Sequence, residues 1–123
     1  MSSTISGSIN IGSMRIGSGK TDPDNTAWQP YNPTSPIPGR GIYVDVDTSK
    51  AGFTKTPNYV ISVCGHTDHW VLTGTSTIYD PTPTGFRVYV RYSYNKPGQE
   101  APPLTPAYAK QCKWHVSWIG IEP

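Results

Sequence analysis

Proline and glycine punctuate this chain so densely that a long helix has almost nowhere to form. Thirteen prolines and twelve glycines are spread over 123 residues, and almost no window of a dozen residues escapes both. Proline inside a helix removes a hydrogen bond and clashes with the preceding turn; glycine there costs about 1 kcal/mol relative to alanine. Between the breaks lie short runs rich in Tyr, Trp, Val, Ile and Thr, which suit a pleated, half-buried surface.

Five of these runs alternate with period two, the pattern of a strand with one buried face. In Gly41–Asp47, Ile42, Val44 and Val46 share one face, and Tyr43, Asp45 and Asp47 the other. Asn58–Cys64 is almost wholly apolar, as expected of a strand covered on both sides. Residues 70–79 carry three threonines and a serine, with Gly74 in the middle marking a bulge or a close backbone approach. In residues 86–94, Phe86, Val88, Val90, Tyr92 and Tyr94 oppose Arg87, Tyr89, Arg91 and Ser93. In residues 112–121, Trp114, Val116 and Trp118 alternate with His115, Ser117 and Ile119. A shorter strand is expected near residues 14–16. Residues 29–39 hold four prolines and are expected to be irregular, and residues 96–110 read as a long Pro-rich loop. Six antiparallel strands in a chain of this length predict an all-β domain, a β-sandwich or small barrel.

Residues 1–13 are a low-complexity extension with two readings: a disordered leader, or an extra edge strand that pairs within an oligomer, since Ile9 and Ile11 alternate. The domain proper is expected over residues 14–123. Residues 1–12 have neither a basic start nor a continuous apolar core, so they do not read as a secretory signal. The expectation is synthesis in the cytoplasm, with any extracellular role reached by a non-classical route or in a trimmed form. A formal charge of +2 without a basic cluster argues against nucleic acid, and no apolar stretch is long enough to span a bilayer.

Three stretches resemble the H-type lectins, the family of snail egg-gland agglutinins and the C-terminal domain of discoidins. The first is Arg-Ile-Gly-Ser-Gly-Lys at residues 15–20, with Trp28 ten residues beyond Ser18. The second is Pro-Thr-Gly-Phe at residues 83–86, a turn that opens a strand. The third is Val-Ser-Trp-Ile-Gly-Ile-Glu at residues 116–122, similar to the family's closing pattern. Their order and approximate spacing also agree. The resemblance implies a six-stranded antiparallel β-sandwich, assembly as a homotrimer or hexamer, and binding of galactose or N-acetylgalactosamine in shallow sites at subunit interfaces. It implies no cofactor and no catalysis.

Carried over by motif, the implied site begins at Pro38, Gly39 and Arg40, with Gly41 where the family has an Asp; Asp45 or Asp47 is the candidate substitute carboxylate. An arginine early in the family's fourth strand is Thr73 here, and a hydroxyl does not replace a five-donor guanidinium. The family's Trp-His-Asn run falls on Ser93, Tyr94 and Asn95. The later tyrosine falls on Cys112, leaving Tyr108 or Trp114 to supply a ring. A galactose-type sugar needs an aromatic platform for its C–H face and a few fixed polar groups. Tyr92, Tyr94 and Tyr108, with Asn95 and Arg40, are the expected providers. Assembly would add avidity, as in an agglutinin or a cell-adhesion protein. The alternative is a structural or adhesive module that kept the fold and lost or altered the sugar site, as Thr73 and Gly41 suggest.

Other conspicuous residues have plainer readings. His66, Asp68 and His69, with His115, have a spacing that zinc sites use, but the segment reads as an exposed turn. Cys64 and Cys112 are either a disulfide or, in a chain without a secretory signal, free thiols. No Ser, Cys or Thr sits in a recognised nucleophile turn, so the chain does not read as an enzyme.

Overall fold

The computed structural model describes residues 4–31, 41–93 and 104–123. The protein is all-β and antiparallel, with two sheets. The first has strand order β1 (Thr4–Ile11), β2 (Met14–Thr21), β9 (His115–Glu122), β5 (Asn58–Cys64). The second has β3 (Gln29–Tyr31), β4 (Gly41–Asp47), β8 (Gly85–Tyr92) and β6 (Leu72–Thr73), with β7 (Tyr79–Thr82) also paired to β8.

Alternation does the work expected of it. Ile42, Val44 and Val46 on β4 and Phe86, Val88 and Val90 on β8 are buried, and so are Ile61 and Val63 on β5 and Val116 and Trp118 on β9. These residues form one core between the sheets. Tyr59 of β5 crosses it, its ring 4.7 Å from that of Phe86 on β8, so the architecture is sandwich-like. Phe86 and Trp118 are both the buried anchors that the sequence suggests. Two polar groups left inside find partners: the Trp28 indole donates to the Trp114 carbonyl at 2.9 Å, and Thr21 Oγ1 accepts from the Val116 amide at 2.9 Å. The buried Trp118 indole N–H, by contrast, has no hydrogen-bond partner among the described residues.

The sequence predicts six strands, whereas nine form among the described residues. Thr4–Ile11, inside the low-complexity extension, is an edge strand paired along its whole length with β2 of the same chain. Gln29–Tyr31 adds three residues to the edge of β4, with Pro30 at an edge where its missing N–H is tolerated. Residues 70–79 are not one strand. A 3-10 turn at His69–Val71, the two residues of β6 and a turn after Gly74 come first, and β7 starts only at Tyr79. Gly74 is the cause. It has φ +89°, and a β-carbon there would lie 2.2 Å from the Tyr89 carbonyl oxygen.

The segment at 96–110 is likewise not all loop. Pro106–Gln111 is a helix, α1, with Pro106 in its first turn and Thr105 as its cap, accepting from the Tyr108 amide at 3.1 Å. A Thr-Pro pair is a helix-start signal; counting that proline only as a breaker conceals it. No helix among the described residues is long and apolar enough to cross a membrane.

Candidate functional site

The outer face of the second sheet carries the densest aromatic cluster on the surface. Tyr43 on β4 and Tyr89 on β8 are cross-strand partners, and Asp45 and Arg87 form the next outward pair. Tyr79 of β7 faces Arg87 from the other side. Tyr31 of β3 lies against its cross-strand partner Gly41, where an added β-carbon would meet the ring at 3.4 Å, an ordinary contact. Tyr89 is thereby surrounded by three rings, with centroids at 5.0 Å (Tyr31), 5.6 Å (Tyr43) and 4.9 Å (Tyr79). Tyr31 and Tyr79 stay 42% and 47% exposed, so the cluster is a surface platform and not a piece of core.

Arg87 organises it. Its guanidinium grips Asp45 through two hydrogen bonds, donates to Tyr89 Oη at 3.2 Å and lies over the Tyr43 ring. A planar fork suits all three tasks at once. Beside this ion pair is a shallow recess whose lining includes Asp45, Asp80, Thr82, Thr84 and Arg87. It offers carboxylate acceptors and hydroxyls next to the rings.

At the other end of β8, Arg91 stands between Gly41 on β4 and Thr73 on β6. Tyr31, Gly41, Arg91 and Thr73 thus form one row across four strands. Arg91 is exposed, and its guanidinium makes no hydrogen bond or ion pair with a described residue. Gly41 and Thr73, the two positions where the resemblance implies an Asp and an Arg, therefore flank a guanidinium without a partner among the described residues. Four residues along β8 separate Arg91 from Arg87, about 13 Å.

The sequence-derived candidates divide. Asp45 and Thr73 lie on this outer face. Tyr92 does not: it is half-buried and packs against the core, and burial, with Asp68 and Cys112 nearby, pushes its phenol up from the ordinary value. Tyr108 lies on α1 at one end of the sandwich, where its hydroxyl donates to the Asp68 carboxylate and its ring meets Trp114 edge-on at 5.6 Å. That bond and burial hold its phenol protonated well above the usual range. Gly39, Arg40, Tyr94 and Asn95 fall outside the described residues. Sequence reading names none of Tyr31, Tyr43, Tyr79, Arg87, Tyr89 and Arg91 for a sugar site. It weighs Arg87, Tyr89 and Arg91 only as a surface for stacking single-stranded nucleic acid, which the balanced charge argues against. The signal was the same alternation that gave the core: Tyr43, Arg87, Tyr89 and Arg91 all occupy the face opposite the valines.

Around Asp68 the chain turns sharply, with φ +66°, and Trp70 projects 78% exposed. No group of three His, Cys, Asp or Glu among the described residues is close enough to hold a metal ion. Cys64 and Cys112 are free thiols. Comparison with models of known families, with curated proteins and with solved structures returned no match.

Proposed function

We propose that this chain is a carbohydrate-binding lectin, not an enzyme, and that it takes galactose or N-acetylgalactosamine on the outer tyrosine face of the second sheet. The observation that carries this reading is the ring cluster around Tyr89, fixed by Arg87 and Asp45. The C–H face of a pyranose stacks on an exposed ring, and its hydroxyls need nearby donors and acceptors held at fixed angles. Tyr79 or Tyr31 supplies the platform, Asp80 and Asp45 accept, and Arg91 donates. Read this way, the sandwich is the six-stranded H-type lectin-like arrangement with the eight-residue β1 and the short β3 added at its edges. On this reading the site also draws on Gly39, Arg40, Tyr94 and Asn95 and on a neighbouring copy in a homotrimer or hexamer. Weak single sites then gain avidity on a glycan surface.

A glycan array probed with the assembled protein, with a melting-temperature screen of monosaccharides alongside, tests this. A sugar that binds only the folded chain must raise its melting temperature. Galactose-type sugars are expected to do so, and Tyr89→Ala to abolish the shift while the variant stays folded. A clean array from correctly folded, assembled protein overturns the reading. It would favour a structural or adhesive module of the same fold, which Tyr31 lying over Gly41 and the bare hydroxyl of Thr73 support.

A further inference from the structure

The outer face of the first sheet is unlike that of the second. Register places Gly7, Ile9 and Ile11 of β1 and Met14, Ile16, Ser18 and Lys20 of β2 on it. From β9 and β5 come Ser117, Ile119, Ile121, Asn58, Val60 and Ser62. Cys64 and His115 end the same face, and among the described residues on these strands Lys20 brings the one full charge. Ile9, Ile11 and Val60 are 61%, 57% and 62% exposed, and Ile119 and Met14 are 38%. Isolated exposed apolar residues need no explanation, but a contiguous apolar patch marks an interaction surface.

The relief of this face is arranged by strand. One row across the sheet reads Gly7, Ser18, Ile119, Val60. On the β1–β2 side it is hollow, a depression lined by Ser6, Gly7, Ser18, Gly19, Lys20 and Ser117. On the β9–β5 side it carries two protruding apolar side chains. A two-fold axis in the face, running along the strands between β2 and β9, superposes each half on the other. It sets Val60 over Gly7 of the second copy, Ile119 over its Ser18, and Ile16 over its Ile121. We propose that this face is an isologous contact between two copies of this chain, with Val60 and Ile119 of one seated in the Gly7–Ser18 hollow of the other.

Two further observations favour a second copy over another occupant. The face is nearly uncharged, so identical surfaces meet without repulsion, and each Lys20 lies opposite Ser117 of the other copy, where its stem packs and its ammonium reaches the rim. Four strands about 4.8 Å apart and some seven residues of about 3.4 Å make a face of roughly 450 Å². Two such faces bury roughly 900 Å² before side-chain relief is added, close to the about 1,000 Å² that a weak specific interface should clear. The contact is independent of the sugar reading, because it leaves the tyrosine faces of both copies outward.

Sedimentation of the full chain over a concentration series tests the contact. The expected species is a dimer, or a hexamer if a three-fold contact also forms; a monomer at every concentration, or a trimer alone, overturns the proposal. A side chain at Gly7 meets nothing within 4 Å in the single copy. Gly7→Asp and Val60→Lys are therefore each expected to fold, as judged by melting, and to associate at least about tenfold more weakly, the effect of one unpaired charge in a contact. Mixing the two variants is expected to recover association, because the introduced ammonium then lies opposite the introduced carboxylate. Oligomers unaffected by either variant, or no recovery on mixing, overturn the geometry. A monomer that binds neutral lipid vesicles through Val60 and Ile119 would assign the face to a membrane surface instead.

Discussion

Arg87 holds Asp45 by two parallel hydrogen bonds, Nε to Oδ1 at 2.7 Å and Nη2 to Oδ2 at 3.0 Å, while its guanidinium carbon sits 4.3 Å from the centre of the Tyr43 ring. A lysine keeps the charge but loses the fork and the stacking. Arg87→Lys is therefore expected to loosen Tyr43 and Tyr89 and to weaken binding of galactose-type sugars about tenfold by titration calorimetry, roughly 1.4 kcal/mol. The pair is about one-third to two-fifths exposed, so the loss in folding stability should stay below about 1 kcal/mol in a denaturant melt. Unchanged affinity with an intact fold would remove the ion pair from the site.

Gly74 couples the irregular edge to the platform. Its positive φ disfavours any other residue, and an added methyl collides with the Tyr89 carbonyl oxygen. Gly74→Ala is expected to cost about 2–3 kcal/mol in chemical denaturation. Because β8 must shift to relieve the clash, sugar binding should fall with stability. Gly12, whose β-carbon would meet nothing within 4 Å despite its φ of +61°, is the control: Gly12→Ala carries only the backbone penalty, about 1 kcal/mol.

Those two glycines also mark where the sequence was legible. Period-two alternation over seven or eight residues placed β4 at its observed bounds, located β8 and β9 to within a few residues and identified their buried faces, because a one-residue slip would expose every valine. Strand β5 has the bounds expected, but its apolar run reads as covered on both sides, whereas only one face is buried and Val60 is 62% exposed. Gly74 was readable as a bulge or close approach, yet not as the point that breaks residues 70–79 into pieces. That outcome depends on which carbonyl of β8 lies beneath it. Strand β1 is readable only as a disordered leader or as an edge strand that pairs within an oligomer. It is an edge strand, but it pairs with β2 of its own chain, because its pairing is decided by β2 and not by its own composition. The tyrosine platform was missed for a related reason. Tyr31, Tyr43, Tyr79 and Tyr89 come from four strands, and only the cross-strand register brings their rings together.

Glu122 is buried at the end of β9, where one carboxylate oxygen accepts from Thr54 Oγ1 at 2.7 Å, the Thr54 amide at 2.9 Å and the Lys55 amide at 2.6 Å. The Thr54 hydroxyl bond foremost, then the two amides, hold its carboxyl below the ordinary value of 4.5. The folded chain therefore binds this proton less readily than the unfolded one. The stabilisation is full above the usual glutamate range and is lost as pH falls through the depressed value. Glu122→Gln is expected to melt below the wild type at neutral pH, with the two curves converging in acid. Parallel melting curves across that range would show that the carboxylate does not tie the 54–55 turn to β9.

Tyr108 separates the sandwich end from the platform. Its hydroxyl bonds the Asp68 carboxylate and its ring packs on Trp114, so it ties α1 to the turn that carries Trp70. Tyr108→Phe keeps the ring contact and removes the bond, which leaves a partly buried carboxylate short of a donor. The expected cost is about 1–2 kcal/mol of stability. If the sugar lies on the outer face around Tyr89, its affinity should be unchanged, since Tyr108 is on neither that face nor the strands that build it. A Tyr108→Phe variant of near-native stability whose sugar binding is lost would move the site to the sandwich end, where Tyr92, Asp68 and the exposed Trp70 indole would become the groups to test.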